Sequence, residues 1–214
     1  MPNHCKNELT IWSGKEDIEK LVEHLKGPNS MFDFNSLVPM PEEIEDTNSV
    51  TTGNQKYYYS QKKWLQDRKT AKDTTKGKDV AVYILDFPPT EWVKENCHDI
   101  FTLRRLEREH GEVYWYDWAC KRWGTKWNAY DVEYCISPVK TLTLGKSSVL
   151  FANVPDPQQI VYTMLTAWME PRPIFTALRD YLTPPEFSEY LSFEWRFQDE
   201  EEHFNGTLTE DDEV

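Results

Sequence analysis

The chain has 214 residues, of which 39% are apolar and 29% charged. That is enough for one sizeable core, built as one large domain or as one domain with a substantial insertion. It contains no run of about 18 apolar residues, so no segment reads as crossing a bilayer. A formal net charge of −13 disfavours non-specific nucleic-acid binding, because neutralising phosphates needs a basic surface.

The opening residues, Met1 to Glu8, are polar and lack the apolar stretch of a secretory signal. Cys5, Cys97, Cys120 and Cys135 form no C-x-x-C pair. They read as reduced, mostly buried thiols, and the expected location is the cytoplasm. Charge is unevenly placed. Lys56, Lys62, Lys63, Arg68, Lys69, Lys72, Lys76 and Lys78 face only Asp67 and Asp73 within residues 56–78, whereas Asp199–Glu202 and Glu210–Glu213 are acidic. Such runs are ordinarily solvated faces.

In chain order, Lys6–Ser13 has the composition of a short strand. Ser13 and Glu16 match a capping box, and Ile18, Leu21, Val22 and Leu25 then mark one helical face, stopped by Gly27-Pro28. Phe32 to Pro41 holds two prolines and reads as an extended edge segment that tucks Phe32, Phe34 and Leu37 into the core. Lys78–Leu85 could be a strand or a buried helical turn. Helices are expected near Asp99–Glu109 and Glu112–Arg122, a strand at Val132–Ser137, and a second hairpin across Lys140–Asn153.

The closing residues mirror the opening ones. Gln159–Trp168 is β-rich, a helix starts near Arg172 after Pro171, and Leu191–Phe197 alternates apolar and polar side chains as a half-buried strand does. The expected class is therefore α+β: a ferredoxin-like split β-α-β sandwich, an antiparallel sheet with helices on one face. Residues 1–198 would form the domain, a long helical insertion would span about 42–122, and 199–214 would be an acidic C-terminal tail.

Four segments carry a resemblance: MPNHCKNELTIWS, FDFNSLVPMPEE, YWYDWACKRWGTKWNAYDVEY and TAWMEPRPIFTALRDYL. Together they resemble the YubB ferredoxin-like family of phages, plasmids and genomic islands, in the family's order and over most of the chain. Two departures stand out. The family's T-A-W-x-P-P pattern reads Thr166-Ala167-Trp168-Met169-Glu170-Pro171, and residues 140–158 exceed a minimal hairpin. The resemblance implies the fold and a mobile-element origin. It carries no established activity, and fold does not license function.

Chemistry-bearing patterns are few. Gly145-Lys146-Ser147 lacks the glycine a phosphate loop needs five residues earlier, where Lys140 stands. His4, His24, His98, His110 and His203 have no metal-ligand spacing, so no metal or cofactor is expected. Cys120 beside Lys121 and Arg122 is a weak candidate nucleophile, and no catalytic residue is assigned. Asp131 and Glu133 share a strand face, where Asp33 and Glu194 could approach them to hold a cation or transfer protons. Surface acids at alternate strand positions explain the pair equally well.

The string Trp123-Gly124-Thr125-Lys126-Trp127-Asn128-Ala129-Tyr130-Asp131 has two readings. As structure, it is a helix end passing through Gly124 into a strand, with Trp123, Trp127 and Tyr130 locking onto the sheet. As a ligand site, Arg122, Trp123, Lys126, Trp127, Asn128, Tyr130 and Asp131 would stack a planar ligand and supply donors to it. The expected function is a non-catalytic mobile-element protein binding a host protein or a small nucleotide in the host cytoplasm, in a counter-defence role. The alternatives are an acidic mimic of nucleic acid that inhibits a DNA-binding host protein, and a small nucleotide-acting enzyme. Self-association stays open.

Overall fold

A computed structural model describes residues 3–45, 47, 100–139, 154–183, 187–188, 190–209 and 212. The expectations for Lys78–Leu85 and Lys140–Asn153, and the basic run 56–78, lie outside these residues. The chain divides into two compact units, residues 1–40 with 117–214, and residues 41–116. In the second unit the described elements are a short helix α2 (Glu42–Glu45), helix α3 (Ile100–His110) and the start of helix α4 (Trp115–Arg122). Both longer helices stand where periodicity places them.

The first unit is a mixed α+β structure around a five-stranded antiparallel sheet. It begins with β1 (His4–Gly14) and α1 (Lys15–Leu25). After α4 come β2 (Tyr130–Pro138), β3 (Pro157–Ala167), α5 (Arg172–Tyr181), β4 (Ser192–Asp199) and β5 (Asn205–Thr209). The sheet order is β2-β3-β1-β4-β5. β1 is central and pairs antiparallel with β3 along its whole length and with β4 from Cys5 to Trp12.

Alternation explains why this sheet has one buried face. Leu9 lies opposite Tyr162 on one side and Trp195 on the other, and Ile11 lies between Ile160 and Phe193. All but Phe193 are at most 1% exposed, and Phe193 is at 4%. Successive strand side chains point to opposite faces, so this row forms the core. Ile18, Leu21 and Leu25 of α1 are buried, and Phe175 of α5 packs on Phe193 and Trp195 at ring separations of 5.5 and 6.3 Å. Phe32 adds edge-on contacts to Tyr162, Trp195 and Phe34. Aromatic pairs of this kind contribute about 0.5–1.5 kcal/mol each beyond the area they bury.

One polar residue stands inside this apolar row. Asn7 donates to the Cys5 carbonyl and the Thr166 hydroxyl, each at 3.0 Å, and accepts from Trp195 Nε1 at 3.1 Å. Its amide is therefore satisfied at 4% exposure, as a buried polar group must be.

Three local readings change. Gly14 stands at the N-cap of α1 without a side-chain cap. Ser13 Oγ donates instead to Asp17 at 2.6 Å, and Ser188 Oγ donates to the same carboxylate at 2.7 Å. Within the proline-bounded segment, Phe34–Ser36 forms a 3-10 turn capped by Asp33. Phe32 and Phe34 are fully buried, while Leu37 is half-buried. Finally, the stretch expected to be a tail supplies β5, paired with β4 from Glu194 to Gln198.

Among the described residues no helix is long and apolar enough to cross a membrane. The described cysteines are free thiols in distinct settings, Cys5 buried and Cys135 exposed. Burial is the main force that pushes the Cys5 thiol from its ordinary value near 9 up to about 11. The unfolded chain releases this proton near pH 9 and the folded chain does not, so stability falls as pH rises from 9 towards 11. Alkylation of the native protein at pH 8, mapped by mass spectrometry, will therefore label Cys135 well before Cys5. Equal rates would contradict the core described here.

Candidate functional site

The WGTKWNAYD string leaves α4 and enters β2, and most of it is occupied with structure. The Trp123 amide completes a helical turn to the Ala119 carbonyl at 2.8 Å. Its indole is 5% exposed, donates from Nε1 to the Val38 carbonyl at 2.9 Å, and meets Trp118 and Phe34 edge-on. Gly124 follows at φ +78° with Pro173 Cδ 2.7 Å from where a Cβ would sit, so both the backbone and the space require glycine. Thr125 is 1% exposed and exchanges two hydrogen bonds with the Ala167 backbone, at 2.8 and 3.1 Å.

Asn128 is the most fully used residue of the string. Its Oδ1 accepts from the amides of Phe34 at 2.9 Å and Ala129 at 2.8 Å, and its Nδ2 donates to Asp33 Oδ1 at 2.6 Å. Asp33 Oδ1 also accepts from the Asn35 amide at 2.8 Å. Asp33 crowds Gly27, where an added Cβ would meet its carboxylate at 2.0 Å. The amide expected to supply a donor to a ligand is thus committed within the protein, its Nδ2 to the Asp33 carboxylate and its Oδ1 to two backbone N–H groups. Tyr130 shares a hydrogen bond with His4 Nδ1 at 2.5 Å and donates to the Thr166 carbonyl at 3.3 Å. Burial foremost, then the charges of Asp131 and Glu200, push its phenol up.

Two members of the string, Lys126 and Trp127, and the preceding Arg122 are left towards solvent. Arg122 is exposed on α4. Trp127 is 38% exposed and touches Tyr130 edge-on. Lys126 Nζ lies 4.4 Å from the Trp127 ring centroid and 5.7 Å from that of Trp168. Trp168 was not among the residues singled out, although it follows β3 within the TAWMEP segment. It is 37% exposed and its neighbour Met169 is 54% exposed. Trp168 also holds φ at +75°, a region that costs a bulky side chain about 1 kcal/mol or more. The Trp168 amide donates to Asn3 O at 2.9 Å, and the Thr166 hydroxyl donates to Met169 O at 2.7 Å. Two tryptophans, a lysine and a methionine therefore gather around the turn after β3. No sequence spacing links Trp127 to Trp168.

Asp131 is directed elsewhere. It stands at φ +50°, in a break of the β2–β3 register between Tyr130 and Glu133. Bulges of this kind re-aim side chains, and both Asp131 and Glu133 line a concavity on the sheet face opposite the core. Asp33 does not join them, since it is held by Asn128, and Glu194 pairs with Arg196 Nε at 2.5 Å.

In the second unit, Glu43, Glu109 and His110 bring ligand-capable atoms within 4.8 Å. Arg105 already lies among them, with Nη1 at 2.9 Å from both carboxylates. Hydrogen bonding to that guanidinium holds Glu43 below the usual carboxylate range. Glu43, Arg105 and Glu109 thus form an ion-pair network, with His110 Nε2 3.7 Å from the Glu43 carboxylate.

Comparisons with protein-family models, with curated proteins and with solved structures find no match to this chain.

Removing the Asn128 amide strips partners from the Asp33 carboxylate and two backbone N–H groups. Asn128→Ala is expected to cost about 2 kcal/mol in chemical denaturation. Asn128→Asp should cost more at pH 7 than at pH 4. Two carboxylates in contact raise each other's pKa, so the folded state of that variant loses stability as pH rises. Equal denaturation midpoints for Asn128→Asp and the parent at pH 7 would contradict this geometry.

Proposed function

We propose that the protein is a non-catalytic binding protein of a phage or plasmid that engages a host protein in the host cytoplasm, in a counter-defence role. We place it in the YubB ferredoxin-like family. The observation that carries the binding role is the patch of Trp127, Trp168 and Met169, each more than a third exposed. Lys126 lies over both rings. Tryptophans that are costly to leave in water and rigidly presented are the usual anchors of protein interfaces, and a cationic neighbour adds orientation. Trp168 is offered from a left-handed backbone fixed by hydrogen bonds on both sides. Unfavourable backbone retained by its surroundings is a feature of functional segments.

The family reading rests on the four motifs and gains support from their roles in the fold. The FDFNS and WNA segments meet through Asp33, Phe34 and Asn128, and the WGT and TAW segments meet through Thr125 and Ala167. The ferredoxin-like reading is supported by the strand order, in which the β1–α1 and β3–α5 crossings each step over one strand. A small nucleotide is the second occupant weighed for the patch. It is favoured by the stacking surfaces around Lys126 and opposed by the net charge of −13.

The test uses tagged full-length protein in host lysate beside a Trp127→Ala/Trp168→Ala variant. Both side chains are substantially exposed, so the melting temperature should stay within about 3 °C, as for surface changes. A partner retained by the parent and lost by the double variant supports the reading. Retention by both, or loss caused instead by Glu200→Lys/Glu201→Lys, would overturn it, the latter in favour of the acidic-mimic alternative. Native mass spectrometry of the same eluates identifies a bound nucleotide directly.

A further inference from the structure

The aromatic patch leaves the solvent face of the sheet unaccounted for. Even-numbered positions of β1 point away from the core, and their register partners complete a floor. Lys6 lies between Leu165 and Gln198, and Glu8 lies between Thr163 and Arg196. Thr163 is in turn the partner of Glu133 on β2. A concavity of about 780 Å3 opens over this floor, with Asp131 and Glu133 along its β2 side. That size is within the range of small-molecule sites.

The charges are separated in a way that selects a ligand. Arg196 is engaged by Glu194 at 2.5 Å and Glu8 at 3.6 Å. Among the described residues, no acid pairs with Lys6 and no base pairs with Asp131 or Glu133 within ion-pair distance. β3 stands between β2 and β1, so the strands that carry the carboxylate pair and Lys6 are two strand spacings apart, about 10 Å at the backbone. Among the described residues no ion pair joins them, and both poles line the same concavity, where one molecule can bridge them. Two carboxylates two residues apart on a bulged strand, both lining the concavity, suit the planar, multi-donor guanidinium better than a point charge. Between the poles, Leu165 offers an apolar surface for a methylene stem. The whole-chain charge of −13 attracts a cationic head and repels a purely anionic ligand.

We propose that this face binds an arginine-type zwitterion, with its guanidinium on Asp131 and Glu133 and its carboxylate on Lys6. The same chemistry is carried by free arginine and by the C-terminus of a peptide ending in arginine. The site is independent of the tryptophan patch, and the Trp127→Ala/Trp168→Ala variant retains it.

Isothermal titration calorimetry of the full-length protein tests this with L-arginine and with acetyl-Ala-Arg bearing a free carboxylate. Binding of the first alone assigns the free amino acid, and binding of the second alone assigns a peptide end. Either result supports the site. Citrulline, which lacks the cation, and agmatine, which lacks the carboxylate, should bind at least about tenfold more weakly, the factor expected for one charge-assisted contact. Glu133→Gln should weaken the preferred ligand by a similar factor, and Lys6→Gln should do so while leaving agmatine unchanged. Both variants are on the solvent face, and their melting temperatures report retention of the fold. Failure of both ligands to bind, citrulline binding as well as arginine, or full affinity in Glu133→Gln would overturn the proposal.

Discussion

The Asn128 side chain is the point on which the first unit depends. One amide joins the turn before β2 to the capped turn after α1, and it does so entirely through hydrogen bonds to Asp33, Phe34 and Ala129. Asp33 in turn caps the 3-10 turn that delivers Phe34 to the core. Segments almost a hundred residues apart are thereby fixed in one geometry, with Trp123 closing the apolar side and Thr125 tying the same turn to the end of β3. Part of the density of amphipathic residues in WGTKWNAYD follows from this task. Trp123, Thr125 and Asn128 each satisfy a backbone group that the chain reversal would otherwise leave buried and unpaired.

The elements with strong periodicity were legible before any coordinates. β1, α1, β3, α5 and β4 each have a repeating apolar position, and each lies within a few residues of where the pattern places it. β5 was not legible, because Asn205–Thr209 buries only Leu208 and offers no alternation to read. Its existence depends on the free edge of β4, which is a tertiary fact. The capping box was legible but misread. Ser13 and Asp17 form the contact actually used, one position later than the motif, because Ser188 approaches the same carboxylate.

The candidate site divides in the same way. That the string would be partly structural could be argued from Gly124 and the tryptophans. Which residues would be committed and which left to solvent could not, since Asn128 and Trp127 have equal claim in one dimension. Trp168 escaped notice because its exposure arises from a left-handed turn after β3, and the residue type gives no sign of that. The charge pattern of the open sheet face was hidden for another reason. Lys6, Glu133 and Arg196 come together only through strand pairing across the whole chain. Asp131 enters through a register break that alternation alone cannot anticipate.

β5 also changes the meaning of the chain's acidic end. Shortening the protein at residue 198 would do more than discharge it. The backbone N–H and C=O groups of β4 that now pair with Asn205–Thr209 would face water along the flank of Trp195 and Phe197. An open strand edge beside large aromatic rings is a template for adding a strand from another chain. The fifth strand therefore moves the edge away from those rings to a five-residue strand that buries only Leu208, and a short edge is a poor template.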